Sequence, residues 1–302
     1  MNAPVSRQRR CLLVMGGALA LPLGHAVARE PARPPLRVGV IDLSFHRATS
    51  AVVCAVLQRM GLAVVPSHAL HEAVFEQLRA GEIDMVVSAW LPSSHGLYQR
   101  RVEEVVPTRE FGLHYEPHAL WGVPDYVPES AVSSVTDLLK PEVRERMTPL
   151  IQGIGPGAGI TRFSIRMMEE YGLSAAGYRF QTGSQDDCFS AFEKAVEAGR
   201  WVVVPLWHPQ FLHARHRIRE LADPRGLLGS VDRAVLLARA DRLGVFTPPQ
   251  LQVLDNIRLS NAIVSQLDLA INRGGQTPEQ AAEAWLATHP DALSRWMQPL
   301  RG

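Results

Sequence analysis

The chain has 302 residues, 46% of them hydrophobic, and a formal net charge of +1 at pH 7. That is ample apolar chain for two compact cores, and a near-neutral balance argues against a nucleic-acid partner. At the amino terminus Arg7, Arg9 and Arg10 precede a mostly apolar stretch, Leu12 to Gly24, and Ala26-Val27-Ala28 forms a small-x-small site before Arg29. This pattern predicts a cleavable signal peptide over 1–28. The apolar stretch is about 13 residues, short of the roughly 20 that span a bilayer. No comparable run follows, so no membrane insertion of the mature chain is expected. Gln8-Arg9-Arg10-Cys11-Leu12-Leu13 leaves the twin-arginine export route open, and Cys11 lies too early to be a lipoprotein cysteine. The expected product is a free periplasmic protein. Cleavage removes three arginines and no acid, leaving a mildly acidic mature chain.

Beyond the leader, strand and helix signals alternate, which predicts an α/β class. Leu36 to Ile41 reads as a strand, Ala48 to Met60 as a helix stopped at Gly61, and Leu62 to Pro66 as a second strand. A helix over Leu70 to Ala80 ends at Gly81, and Ile83 to Val87 is a short buried strand. Phe111 to Val123 is extended and rich in histidine and aromatics, with a break at Pro124 to Pro128. Ile151 to Ile154, Tyr178 to Gln181 and Trp201 to Leu206 are further strands, and Arg162 to Tyr171 is helical. Ser184-Gln185-Asp186-Asp187 and Thr277-Pro278-Glu279-Gln280 are capping sequences that open helices to Ala198 and Thr288.

Three segments carry chemistry. Trp90 follows the Ile83 to Val87 strand, where open α/β sheets place ligands, and His95 lies five residues on. Trp207 ends another apolar run. Taken alone, each tryptophan reads as a partly buried core residue. The third segment, Gly153-Ile154-Gly155-Pro156-Gly157-Ala158-Gly159-Ile160-Thr161, runs into a helix and bares N–H groups that attract anions. Two aromatic faces for a cation and an amide pair for an anion together describe a small zwitterion.

The segments Ser88 to Tyr98, Gly153 to Thr161 and Trp207-His208-Pro209-Gln210-Phe211 resemble the three signature regions of the glycine betaine/proline betaine-type substrate-binding proteins of ABC importers. The resemblance implies a two-lobed, type II periplasmic-binding fold with the ligand cleft between lobes joined by a two-strand hinge. It places 33–115 and 240–302 in a discontinuous first lobe and 116–239 in the second, with Ala234 to Ala238 as the return crossing. By the same resemblance Trp90 and Trp207 are cage tryptophans, His95 a carboxylate ligand, and Gly159 and Ile160 the amide pair. The family's remaining cage tryptophan falls on Leu43 here, with Phe45 and His46 close behind. Phe45 offers a weaker aromatic wall, whereas a protonated His46 would repel a quaternary ammonium.

These residue types suit a trimethylammonium ligand. Such a group has no N–H donor and spreads its charge over methyls, so aromatic faces fit it, at roughly 0.5 to 2 kcal/mol each. A carboxylate wants preorganised N–H donors. The expected function is therefore capture of a glycine betaine-like zwitterion and its delivery to an ABC permease and its ATPase, by a monomer, without cofactor, metal or catalysis. Choline, carnitine or a sulfonium compound are alternative ligands. A periplasmic enzyme using His95 or the His213/His216 pair, or a sensory binding protein docking on a receptor, are alternatives of other classes.

Other motifs carry less. His213 and His216 have a zinc-like spacing, but Arg215, Arg217 and Arg219 oppose a cation, so a solvated basic face is expected. Asp186 and Asp187 suit a helix start. The glycine run lacks the lysine and the downstream acid that nucleotide sites require. Cys54 and Cys188 are expected as unpaired buried thiols, since a bridge would lock the cleft.

Overall fold

The computed structural model describes Met1 and residues 34–301, so the expected signal peptide lies, Met1 aside, outside the described residues. Val38, Val40 and Ile41 are buried in β1 (Leu36–Ile41), the environment that β-branched residues favour in a strand covered on both faces. There follow α1 (Ser44–Arg59), β2 (Val64–Ala69), α2 (His71–Ala80), β3 (Met85–Leu91), α3 (Gly96–Glu103) and β4 (Thr108–Phe111). Both β2 and β3 run parallel to β1, as helical crossovers dictate. The helices sit close on this sheet. A Cβ at Gly39 would lie 2.3 Å from Ile83 Cδ1 and 2.7 Å from Val74 Cγ2.

The middle of the chain builds smaller sheets. Its elements are β5 (His118–Pro124), α4 (Pro141–Arg144), β6 (Leu150–Gln152), α5 (Gly159–Glu170), β7 (Arg179–Gln181), α6 (Gln185–Glu197), β8 (Val204–His208), α7 (Leu212–Arg215) and β9 (Ile218–Glu220). Here β5 lies between β8 and β9, antiparallel to both, and β6 pairs in parallel with β7. The chain closes with β10 (Arg233–Arg239), α8 (Pro248–Asn256), α9 (Asn261–Asn272), α10 (Pro278–Thr288) and α11 (Pro290–Trp296). Both α9 and α10 pack on α1, returning the carboxyl end to the first sheet.

The differences from expectation have physical causes. Helix α1 starts at Ser44, not Ala48, because its first free N–H is capped across the fold, Ser44 N donating to Gln185 Oε1 at 3.0 Å. No local cap residue announces it. Strand β3 runs on to Leu91 with every residue buried, so no change of polarity marks its end. Residues 234–238, expected as a return crossing at the end of a 116–239 lobe, belong instead to β10, which is hydrogen-bonded between β3 and β4 in the order β2-β1-β3-β10-β4. An apolar run buried on both sides reads the same in either role. The Ser184 and Thr277 capping boxes form as their sequences predict. Cys54 and Cys188 are free, Cys188 buried and Cys54 partly so. Burial pushes the Cys54 thiol up to about 12.

One buried acid ties the segment after Trp207 to α9. Asp268 is fully buried and accepts from Phe211 N and from Asn272 Nδ2, each at 2.8 Å. Burial pushes its carboxyl up to about 6, outweighing the hydrogen bonds from Ser44, Phe211 and Asn272 that draw it down. A folded-state value above the unfolded one, about 3.9, means that this group's contribution is fully present below pH 4 and is lost as pH rises through 6. The stability difference between wild type and Asp268→Asn should therefore shift by roughly 2 to 3 kcal/mol against wild type over that interval. Thermal unfolding of both proteins from pH 4 to 7 measures it, and a pH-independent difference would contradict the assignment.

Candidate ligand-binding site

Leu43 and the first turn of α1, the ends of β3 and β8, and the start of α5 converge on one cavity. Leu43, Phe45, His46, Trp90, His95, Gly159, Ile160 and Trp207 all line it, together with His71, Ser94, Ala119, Ile154 and Ala158, around a narrow space of about 20 Å³. Its aromatic side is a run of three rings. Phe45 stands between the tryptophans, its centroid 5.2 Å from that of Trp90 and 5.3 Å from that of Trp207. Ala119 pairs with Trp207 across β5 and β8, a small residue that leaves the indole room.

Trp90 is held by a buried polar network. Ser88, at φ 64°, sits where the β3–β10 register shifts. That left-handed backbone is uncommon for a residue other than glycine. Ser88 Oγ accepts from Trp90 Nε1 at 3.1 Å and lies 2.6 Å from Tyr115 Oη and 2.7 Å from His46 Nδ1. With its edge committed there, Trp90 has its face to offer.

The opposite side is rich in N–H groups. Gly159 and Ile160 open α5, where helix geometry leaves the amides without intrahelical acceptors, and the N-cap, Ala158, supplies no side-chain cap. His95 Nδ1 lies 2.9 Å from Trp90 N. A backbone amide only donates, so Nδ1 accepts and the neutral ring carries its proton on Nε2. Burial, reinforced by His95 and His71 for His46 and by His71 and Arg162 for His95, holds both well below the usual histidine range. Burial and Arg162 lower His71 to about 3. All three are neutral at pH 7. His46 therefore brings no charge against a bound cation.

His46, His71 and His95 each offer a nitrogen within 4.8 Å of the others, a grouping that invites a metal. The Trp90 amide opposes it. A neutral His95 ligating through Nε2 needs its proton on Nδ1, and two N–H groups would then collide. The arrangement suits donation to an anion.

Sequence reasoning missed His71, Ser88 and Tyr115. His71 had a legible signal: it opens the helix directly after β2, at the carboxyl end of a parallel strand. Arg215 and Arg217 are exposed, as expected of a solvated basic face, whereas His213 and His216 are half-buried. His213 Nε2 lies 3.0 Å from the Trp207 carbonyl oxygen, supporting that strand end. His216 faces Glu193 at 3.7 Å, where Arg273 already pairs with the carboxylate.

The two sides of the cavity meet at Gly159. A Cβ there would lie 2.9 Å from Ser94 Cα, next to His95, and the Arg162 guanidinium ties the same loops by donating to Ser94 O and Gly157 O. Gly159→Ala should therefore weaken glycine betaine binding at least about fivefold with folding retained. Calorimetric titration beside a thermal melt checks this, and unchanged affinity would contradict the close approach.

A mixed α/β two-lobed fold with a buried aromatic and imidazole cavity defines a ligand-binding protein of the type II periplasmic-binding class. Residues 34–288 match the family model described as OpuAC, substrate binding domain of ABC-type glycine betaine transport system, and the chain belongs to that family. It is 29% identical over 157 residues to the glycine betaine/carnitine transport binding protein GbuC of Listeria monocytogenes, a match spanning 52% of this chain and 52% of that protein. The match thus covers about half the length of that relative. Its fold is similar to lactococcal OpuAC in a closed conformation complexed with glycine betaine, with TM-score 0.76 and 23% identity over 88% of this chain and 100% of that one. A choline binding protein in complex with choline superposes with TM-score 0.76 and 19% identity over 87% and 91% of the two chains.

Proposed function

We propose that this protein captures a quaternary ammonium zwitterion of the glycine betaine kind and hands it to an ABC permease with its ATPase. The observation that carries the reading is that one cavity joins three aromatic rings, from Phe45, Trp90 and Trp207, to the uncapped start of α5 and the His95 Nε2–H. The rings take the methylated cation. The amides of Gly159 and Ile160, with His95, take the anion. Leu43 lines the cavity without contributing a π face. Because Trp90 and His95 come from one set of elements and Trp207 and α5 from another, a ligand touching both favours the closed arrangement.

The rest of the reading follows the sequence. Residues 1–28 direct export and are removed, the mature monomer works in the periplasm, and binding involves no turnover. The first lobe takes 33–115 and, from β10 onward, 233–302, and the second takes 116–232, with the return crossing ahead of Arg233 because β10 pairs with β3 and β4. Among the described residues no helix is long and apolar enough to cross a membrane. Calorimetric titration with glycine betaine, proline betaine, carnitine and choline, with tryptophan fluorescence in parallel, tests the function. Saturable binding of a carboxylated betaine with a fluorescence change is expected. Silence toward all four, or chemical conversion of a bound compound, would overturn it.

A further inference from the structure

The ligand cavity has a larger neighbour. A cleft of about 600 Å³ adjoins it, lined mainly by Leu43, Leu70, Ala73, Ile154 and Pro156. Leu43, His71 and Ile154 line both spaces. They come from the residue before α1, the first residue of α2 and the loop between β6 and α5, so the two spaces adjoin along three separate elements. His71 stands on the donor side, its ring centroid 5.3 Å from that of His95. Leu43 enters the cavity two residues before Phe45, on the aromatic side. The junction therefore lies between the cation and anion ends, where a branch on the middle of a bound zwitterion emerges.

The cleft is apolar where solvent would favour polar groups. Leu70 is the N-cap of α2, a position that favours Ser, Thr, Asp or Asn, and it makes no side-chain cap. It is nonetheless 58% exposed. Pro156 is exposed too, and a Cβ at Gly155 would meet nothing within 4 Å. The two acids that line the cleft are engaged elsewhere, Glu72 with Arg101 at 3.1 Å and Glu76 with Arg79 at 2.7 Å. Among the described residues no lysine or arginine lines it. A second anionic group thus finds no partner there, whereas an uncharged apolar one gains by burial. We propose that the protein takes quaternary ammonium carboxylates carrying an uncharged apolar branch, an O-acyl or alkyl chain, which leaves the cavity between Leu43 and Ile154 and lies along Leu70 and Pro156. This rests on the quaternary-ammonium reading above and specifies the middle of the ligand.

The test is calorimetric titration of the purified protein with glycine betaine, carnitine and the O-acetyl, O-butyryl and O-hexanoyl esters of carnitine. Full burial of one methylene is worth about fourfold in affinity. With its chain half covered, the hexanoyl ester is expected to bind at least about tenfold more tightly than the acetyl ester. Leu70→Ser, which installs a favoured N-cap, should cut the ratio of hexanoyl-ester to glycine betaine affinity at least about threefold. Leu43→Trp, which fills the junction, should remove the gain with chain length. Affinity that stays flat or falls from acetyl to hexanoyl while glycine betaine binds would overturn this inference alone, as would an unchanged ratio in Leu70→Ser. Silence toward every compound would overturn it together with the proposed function. Should Leu43→Trp fail to fold, the ester series and Leu70→Ser decide.

Discussion

Trp207→Ala and Trp90→Ala are each expected to weaken glycine betaine binding by at least about 1 kcal/mol, or fivefold or more. Both indoles are buried, at 2% and 5% exposure, so each substitution also opens a cavity at a cost of roughly 3 to 5 kcal/mol of stability. Trp207 stands in a ring cluster with Phe45 at 5.3 Å and Phe189 at 5.7 Å. The two effects separate experimentally: melts report the packing loss, and titration of the folded fraction reports the lost face. Trp207→Phe, which keeps a smaller π surface, should fall between. Wild-type affinity in both alanine variants would remove the cage from the account.

Asp84→Ala should destabilise the fold by roughly 3 to 5 kcal/mol without changing ligand affinity. Asp84 is 2% exposed and accepts from Arg37 N at 2.9 Å, Arg37 Nη2 at 2.6 Å and Arg242 Nε at 2.8 Å. It stands just before β3, at the end remote from Trp90, and binds that strand to β1 and to the segment after β10. Burial raises its carboxyl, but the hydrogen bonds from Arg37 and the charge of Arg242 outweigh this and hold it below the usual range. A lowered folded-state value gives stability that is present above pH 4 and lost as pH falls further. Urea unfolding of the variant measures the loss. A change below about 1 kcal/mol would contradict a buried charge clamped by two arginines.

Residue patterns made the alternation of strands and helices legible, and glycine turns and capping boxes made several boundaries so. The site was legible where backbone and side chain cooperate locally. Trp90 and His95 flank one strand end, and Gly159 opens a helix after a glycine run, so their convergence follows from α/β topology. What escaped was set by tertiary contacts. The α1 start depends on Gln185 from another part of the fold, and the place of β10 depends on pairing that its buried apolar run, 234–238, does not advertise. His71 reaches the cavity only because β2 lies beside β1, and Tyr115 only because the chain turns through positive φ at Gly112, Leu113 and His114. The neutrality of His46 arises from burial, which a sequence does not display.

The central claim is that aromatic faces in this cavity hold a cation rather than a merely apolar group. The direct measurement compares glycine betaine with 3,3-dimethylbutanoate, its uncharged-headgroup analogue of nearly identical shape, by calorimetric titration of the same protein preparation. Three rings at roughly 0.5 to 2 kcal/mol each predict that the charged ligand binds at least about tenfold more tightly. Equal affinities would mean that the rings form only a hydrophobic pocket, contradicting the account.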